Sequence, residues 1–245
     1  MPAPKKAKGF SLHIGIDRVD NSFYSKRLTR LTSAENDARA MAKIASDNRY
    51  EKIEMLLSDQ ATREAVQQTI QDYVRDLQSG DMFFLTYSGH GARVPDLNKD
   101  EANGKDETFC LYDGLLIDDE LSEWMSPLRD GVRILVIADC CYSGGIIEDL
   151  SKTFKSRTNQ NKKNNTKQST VQFIGFSSAQ NYQLASSKGK HGTFTAHLIE
   201  IYERTKGEIT YGTLFAQITR QMIPAQKPTY EYVHDKMEED RVFRI

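Results

Sequence analysis

At 245 residues, 38% hydrophobic and 27% charged, the chain can bury one substantial core, so a single domain spanning residues 1–245 is expected. A formal net charge of −1 excludes a global drive toward nucleic acid or an anionic membrane. No run approaches the roughly 18 apolar residues of a membrane span, and three cysteines make no disulfide framework, which together point to a soluble, unsecreted protein of a reducing, cytoplasmic compartment.

Apolar runs of strand length alternate with amphipathic stretches, the signature of an α/β fold with a largely parallel sheet. Phe10–Ile16 is the first predicted strand, and 17–30 is a polar connection. Ser33 is placed as the cap of a helix running to about Asn48, with Ala38, Met41, Ala42 and Ile44 on one face. A short strand follows at Lys52–Leu57. Val66, Ile70, Tyr73, Val74 and Leu77 give a second helix over Thr62–Gln78, stopped at Gly80. Met82–Tyr87 is the third strand, followed by an SGHG turn and an acidic loop, Ala92–Glu107. Thr108–Tyr112 is a short piece, and Asp118 or Asp119 is expected to cap a helix in the LIDDELSE stretch. Val132–Ala138 is the fourth strand. Ser151–Gln168 holds six Lys or Arg and no acid, and is read as a mobile basic loop. Val171–Phe176 is the fifth strand, Thr193–Lys206 and Tyr211–Met222 are helices, and Pro228–Val233 is a final edge strand. There are no internal repeats.

Two strand ends carry the chemistry. ILVIADCCYSGG, from Ile134, stops at Asp139, Cys140 and Cys141; MFFLTYSGHG, from Met82, stops at Gly89, His90 and Gly91. In a parallel α/β sheet ligands bind beyond the carboxyl ends of the strands, so neighbouring strands would bring His90 and a cysteine to one crevice. A thiol of pKa about 8.5 is only a few per cent thiolate at neutral pH. An adjacent imidazole can take its proton and later protonate a leaving amine. The amides of Gly91 and Cys141 are candidate donors to a developing oxyanion.

Other readings of these residues are weaker. A cysteine after an apolar strand is by itself more often a small buried hydrophobe. Zinc is disfavoured because the three cysteines, His90 and His191 contain no two-residue-spaced pair. No glycine-rich phosphate loop is present. Gly175–Ala179 is an imperfect nucleophile elbow that would make Ser177 a serine nucleophile, but no helix is expected directly after it.

YSGHG, then an acidic loop, DETFCLYD, LIDDEL and an apolar strand ending in DCCYSGG together resemble the metacaspases, in the compact bacterial form called orthocaspases. The interval of about fifty residues from His90 to Cys141 is the one known for caspases. The resemblance implies a caspase-like fold, a mostly parallel six-stranded sheet flanked by helices. It also implies a cysteine endopeptidase cleaving after Arg or Lys, with His90 and Cys141 as the dyad and Asp37, Ser88 and Asp139 as the pocket for the basic side chain. Peptides or proteins with such residues are the implied partners, with no nucleic acid, no membrane and a monomeric chain. Calcium is the implied cofactor, held by Asp106, Asp118 and Asp119, with Glu148 where relatives often have Asp; clustered carboxylates suit a hard cation. Two features depart from the pattern. Tyr142 stands where the family frequently has His, and the cysteine some relatives carry before Asp37 is missing. The basic loop offers six self-cleavage sites between Lys152 and Lys167. A catalytically quiet caspase-like module for binding or regulation is the competing function.

Overall fold

The computed structural model describes residues 6–95, 104–163, 171–178, 187–224 and 226–245. In chain order its elements are β1 (Gly9–Gly15), α1 (Ala34–Asp47), β2 (Lys52–Leu57), α2 (Arg63–Asp76), β3 (Met82–Ser88), β4 (Gly91–Pro95), β5 (Lys105–Leu111), β6 (Gly114–Ile117), α3 (Asp118–Met125), β7 (Arg133–Asp139), α4 (Ser143–Lys163), β8 (Gln172–Ser177), β9 (Ser187–Lys188), β10 (His191–Gly192), α5 (Thr193–Thr205), α6 (Tyr211–Gln221) and β11 (Thr229–Val233). The main sheet is six-stranded in the order β11-β8-β7-β3-β1-β2, parallel except for the antiparallel edge strand β11. This is the α/β caspase-like architecture that the resemblance implies.

The central strands are apolar on both faces because helices cover both. Successive side chains alternate across the sheet. Phe83, Leu85, Ile134 and Val136 therefore pack with Val66 and Ile70 of α2 and Ile147, Leu150 and Phe154 of α4. Phe84, Leu135 and Ile137 pack on the other side with Met41 and Ile44 of α1, Leu198 of α5 and Leu214 of α6.

Three local expectations are corrected. The acidic loop is strand at both of its ends: β4 and β5 pair antiparallel, β5 pairs with β6, and residues 96–103 lie outside the described set. Asp118 and Asp119 are not caps but the first residues of α3, whose cap position is Ile117. The segment from Ser151 is not a loop, because α4 runs through it to Lys163; residues 164–170 lie outside the described set. The helix is held by Ile146, Ile147, Leu150 and Phe154, buried at helical spacing. Its charges are tied down as well, Lys155 to Glu231 at 2.9 Å and Arg157 to Asp130 at 2.9 Å. Ser33 does occupy the cap position of α1, but the capping oxygen comes from elsewhere: Asp17 Oδ1 accepts the Ala34 amide at 2.9 Å.

Fully buried in β1, His13 shares a hydrogen bond of 2.9 Å between its Nδ1 and Thr86 Oγ1 and lies edge-on to Phe84. Burial pushes its pKa from 6.5 down to about 3. The unfolded chain therefore binds this proton first as the pH falls. The contribution of His13 to stability is intact above pH 6.5 and is lost progressively toward about pH 3, with a limiting slope of ~1.4 kcal/mol per pH unit. The difference in unfolding free energy between wild type and His13→Asn, from urea unfolding between neutral pH and about pH 4, should follow this slope, because the other titrating groups are common to both chains.

Candidate active site

The register of the sheet sets the site. Ser88 of β3 is paired directly with Asp139 of β7, so residues two positions beyond each strand end, His90 and Cys141, emerge side by side at the carboxyl edge. After Asp139 the chain turns sharply into α4. Tyr142 adopts a left-handed conformation, φ 59°, that side chains rarely take, and the Ser143 hydroxyl donates to the Cys140 carbonyl at 2.9 Å. Cys141 stands at the crest of this turn, beside the amino end of a 21-residue helix whose dipole favours negative charge. Tyr142, which the sequence leaves unexplained, lies with its ring 4.5 Å from the Arg93 guanidinium of β4, a cation–π contact that braces the turn.

Only one of the three cysteines reaches solvent. Cys110 and Cys140 are fully buried, and burial pushes the first up to about 12 and the second well above the usual thiol range. Cys141 is half-buried. Gly91 packs directly on the Cys141 carbonyl, so closely that a Cβ would collide with it.

His90 is oriented from both ends. Its carbonyl accepts the Tyr87 hydroxyl at 2.7 Å and the Cys110 amide at 3.0 Å. Its ring Nε2 lies 2.6 Å from the Thr29 carbonyl. A carbonyl can only accept, so Nε2 carries the hydrogen and Nδ1 keeps its lone pair. Thr29 sits in the polar connection before α1. Sequence reading misses it because the contributing atom is backbone and leaves no residue signature.

A cleft of about 300 Å³ runs past Arg30, Ser88, His90, Asp139, Cys141 and Gly192. Asp37 of α1 lies just beneath this lining: its Oδ2 accepts the Ser88 hydroxyl at 2.7 Å, and the Gly192 amide donates to both its oxygens at 3.1 and 3.2 Å. His191 Nδ1 is 2.8 Å from its Oδ1. Asp139 Oδ2 accepts the amide and hydroxyl of Thr195 at 3.0 and 2.9 Å. Both acids are almost fully buried, at 2% and 6% exposure, and a Cβ on Gly192 would run into Asp139. Burial, reinforced by the charge of Asp139, pushes Asp37 up to about 8, and burial pushes Asp139 up too. Two acids this buried and this close resist carrying two charges at once. Gly192 and Thr195 went unread in the sequence, where HGTFT looks only like a helix start, and His191 was weighed only as a metal ligand.

The proposed calcium ligands do not gather as a set. Asp106 and Asp118 are buried and Asp119 is half-exposed, whereas Glu148 points to solvent on α4, 3.7 Å from Lys152. The inward residue is the next one. Asp149 accepts the Ser122 hydroxyl at 2.5 Å, and with Asp106 it helps to push Asp118 up to about 8, after burial itself. Among the described residues no three His, Cys, Asp or Glu side chains are arranged as a metal site. The oxygen donors of Asp106, Asp118 and Asp149 fit a hard cation in chemistry; Glu148 does not fit in position.

Ser177 is fully buried as the last residue of β8, paired with Thr229, and has no access to solvent. A larger cleft of about 680 Å³, lined by Lys8, Arg49 and Lys206 among others, lies at the amino ends of the strands and contains neither His90 nor Cys141. Among the described residues no helix is long and apolar enough to cross a membrane.

Residues 16–237 match the family model described as the caspase domain. The chain belongs to this caspase-domain family. Within the family it is similar to Metacaspase-1A of Aspergillus clavatus, 30% identical over 220 residues that cover 80% of this chain and 48% of that protein. It is also similar to Metacaspase-1B of Aspergillus fumigatus, 34% identical over 152 residues, 56% of this chain and 36% of that protein. This caspase domain thus spans about half the length of the curated metacaspases that it matches over most of its own length. A crystal structure of a protein from Geobacter sulfurreducens superimposes with a TM-score of 0.80 at 30% identity, covering 97% of this chain and 99% of that one.

Proposed function

We propose that this caspase domain is a cysteine endopeptidase that cleaves after Arg or Lys. The observation that carries the reading is the shared cleft: His90 and the one solvent-reaching cysteine border it together with Asp139, and Asp37 lies beneath. Cys141 Sγ attacks the scissile carbonyl after His90 Nδ1 takes its proton, and the same nitrogen returns the proton to the leaving amine. The Thr29 carbonyl holds the ring in the tautomer this requires and stabilises the imidazolium. The amides of Gly91 and Cys141 receive the oxyanion. A cationic side chain entering beside Asp139 stabilises the charged forms of both acids, whereas an anionic one would oppose them.

Calcium belongs to the proposal, with Asp106, Asp118 and Asp119 joined by Asp149 in place of Glu148. When bound, it would neutralise that carboxylate cluster and set the position of β5 and α3. A monomer in a reducing, cytoplasmic compartment completes the reading. The deciding assay compares fluorogenic peptides ending in Arg and in Asp, with calcium and with chelator. Turnover of the Arg peptide at least ~10²-fold above the Asp peptide, dependent on Cys141, is expected. No Cys141-dependent turnover of either would favour the quiet binding module instead.

Self-processing is proposed within narrower limits than the sequence suggests. Lys152, Lys155 and Arg157 lie well inside α4, and a helical backbone cannot lie extended in a cleft. Cleavage is expected at Lys162, Lys163 or Lys167, at or beyond the end of the helix. Intact mass of wild type against Cys141→Ala should show two fragments divided there only in the wild type; cuts at Lys152 or Lys155 would contradict this.

A further inference from the structure

Before any substrate arrives, Asp37 is already satisfied by its own chain. Its Oδ1 faces the His191 ring at 2.8 Å and the Gly192 amide at 3.2 Å, and its Oδ2 faces the Ser88 hydroxyl at 2.7 Å and the same amide at 3.1 Å. A carboxylate offers about four lone-pair sites, so little of Asp37 remains for a guanidinium or ammonium group. The three donors are not equivalent. Gly192 donates from the backbone at the start of α5, and Ser88 is buried at 6% exposure. The His191 side chain is 28% exposed. Its backbone neighbour is pinned, since Asn36 Nδ2 of α1 donates to the Lys190 carbonyl at 3.1 Å. The imidazole can therefore rotate away while the Gly192 amide stays in place.

We propose that His191 is a specificity-determining residue of the basic-side-chain pocket: its ring N–H occupies Asp37 as an internal stand-in for Lys or Arg, and substrate must displace it. This rests on the reading of Asp37 and Asp139 as that pocket. Displacement exchanges one N–H donor for another on the same carboxylate. The pocket thereby favours side chains that bring a full charge and disfavours neutral donors such as Gln, which gain nothing over the imidazole.

Acid strengthens the competitor. The charged and titratable groups around the ring are Asp37 on α1, Asp139 on β7, Lys190 beside it, and Arg30 and His90 along the cleft. Burial and then Lys190 push the His191 pKa down, against the opposing pull of Asp139, so the ring is neutral at neutral pH. Once protonated, the ring donates to Asp37 as a full cation and repels an incoming cation.

The test combines steady-state kinetics of His191→Ala and His191→Asn on an Arg-ended peptide with calorimetric binding of agmatine to the same chains carrying Cys141→Ala. His191→Ala should lower KM by about fivefold to tenfold at unchanged kcat and tighten agmatine binding by the same factor, since one charge-assisted hydrogen bond no longer has to be broken. The wild-type to His191→Ala ratio of KM should widen as the pH falls. His191→Asn, which keeps an N–H donor but cannot charge, should show no such widening relative to His191→Ala. An unchanged KM in His191→Ala overturns the proposal. A raised KM restored by His191→Asn overturns it as well, by making the ring a fixed support for Asp37. If agmatine binds none of these chains while Cys141-dependent hydrolysis persists, the basic-pocket reading falls and this inference with it.

Discussion

Replacing Cys141 with alanine is expected to reduce kcat/KM on an Arg-ended peptide by about 10⁴-fold or more, to the level left by substrate binding and oxyanion contacts alone. Cys110 and Cys140 cannot substitute, since both are sealed in the core with burial holding them as thiols. His90→Ala should cost ~10³-fold to 10⁴-fold, because the thiol then has to lose its proton to water and the leaving amine has no acid. Adding His90→Ala to Cys141→Ala should cost nothing further, because the two act as a unit. Additive losses would place His90 in a role separate from the thiol. Neither variant should alter stability much: His90 and Cys141 are each only partly buried at strand ends, and the packing beneath them belongs to Tyr87, Phe109 and Cys140.

The convergence of His90 and Cys141 was legible in the sequence because both residues follow apolar strands directly, and strand direction plus register carries them to the same edge. Asp139 and Ser88 were legible for the same reason, being the last residues of those strands. What escaped was everything contributed across the chain by backbone or by short segments. The Thr29 carbonyl has no sequence signature, and the Asp17 cap of α1 is separated from its helix by a polar connection. Glu148 was expected beside the other carboxylates from its motif position alone, without the helix phase. Ile146, Ile147 and Leu150 set the inward face of α4, and that phase turns Asp149 in and Glu148 out. The reading of a basic loop from Ser151 failed similarly: polar composition outweighed a helical apolar stripe that ends at Phe154, and cross-element ion pairs at Lys155 and Arg157 settled the rest.

Asp139→Asn sets function against stability, and the two should move in opposite directions. The substitution keeps the shape and lets the amide oxygen go on accepting from Thr195, while removing the negative charge that borders the cleft. Loss of a buried partner to a cationic group typically costs 2–5 kcal/mol or more, so kcat/KM for Arg-ended peptides should fall by ~10²-fold to 10³-fold, mostly through KM. Turnover of a peptide with a neutral residue at that position should change little, which separates a lost pocket from a damaged dyad. Stability follows from the raised pKa values. An acid whose folded pKa lies above its unfolded one binds more protons when folded, so its contribution is present at low pH and is lost as the pH rises through the folded value. Asp37, raised from 3.8 to about 8 with Asp139 contributing, therefore makes the native state progressively less stable between those limits. Removing the charge of Asp139 relieves that strain, and the Tm of Asp139→Asn should exceed that of the wild type at about pH 8, with the gap closing toward pH 4. A variant that is less active and also less stable at every pH would assign Asp139 a purely structural role. One less active and more stable identifies two carboxylates held together, against their own repulsion, for the sake of the cation they receive.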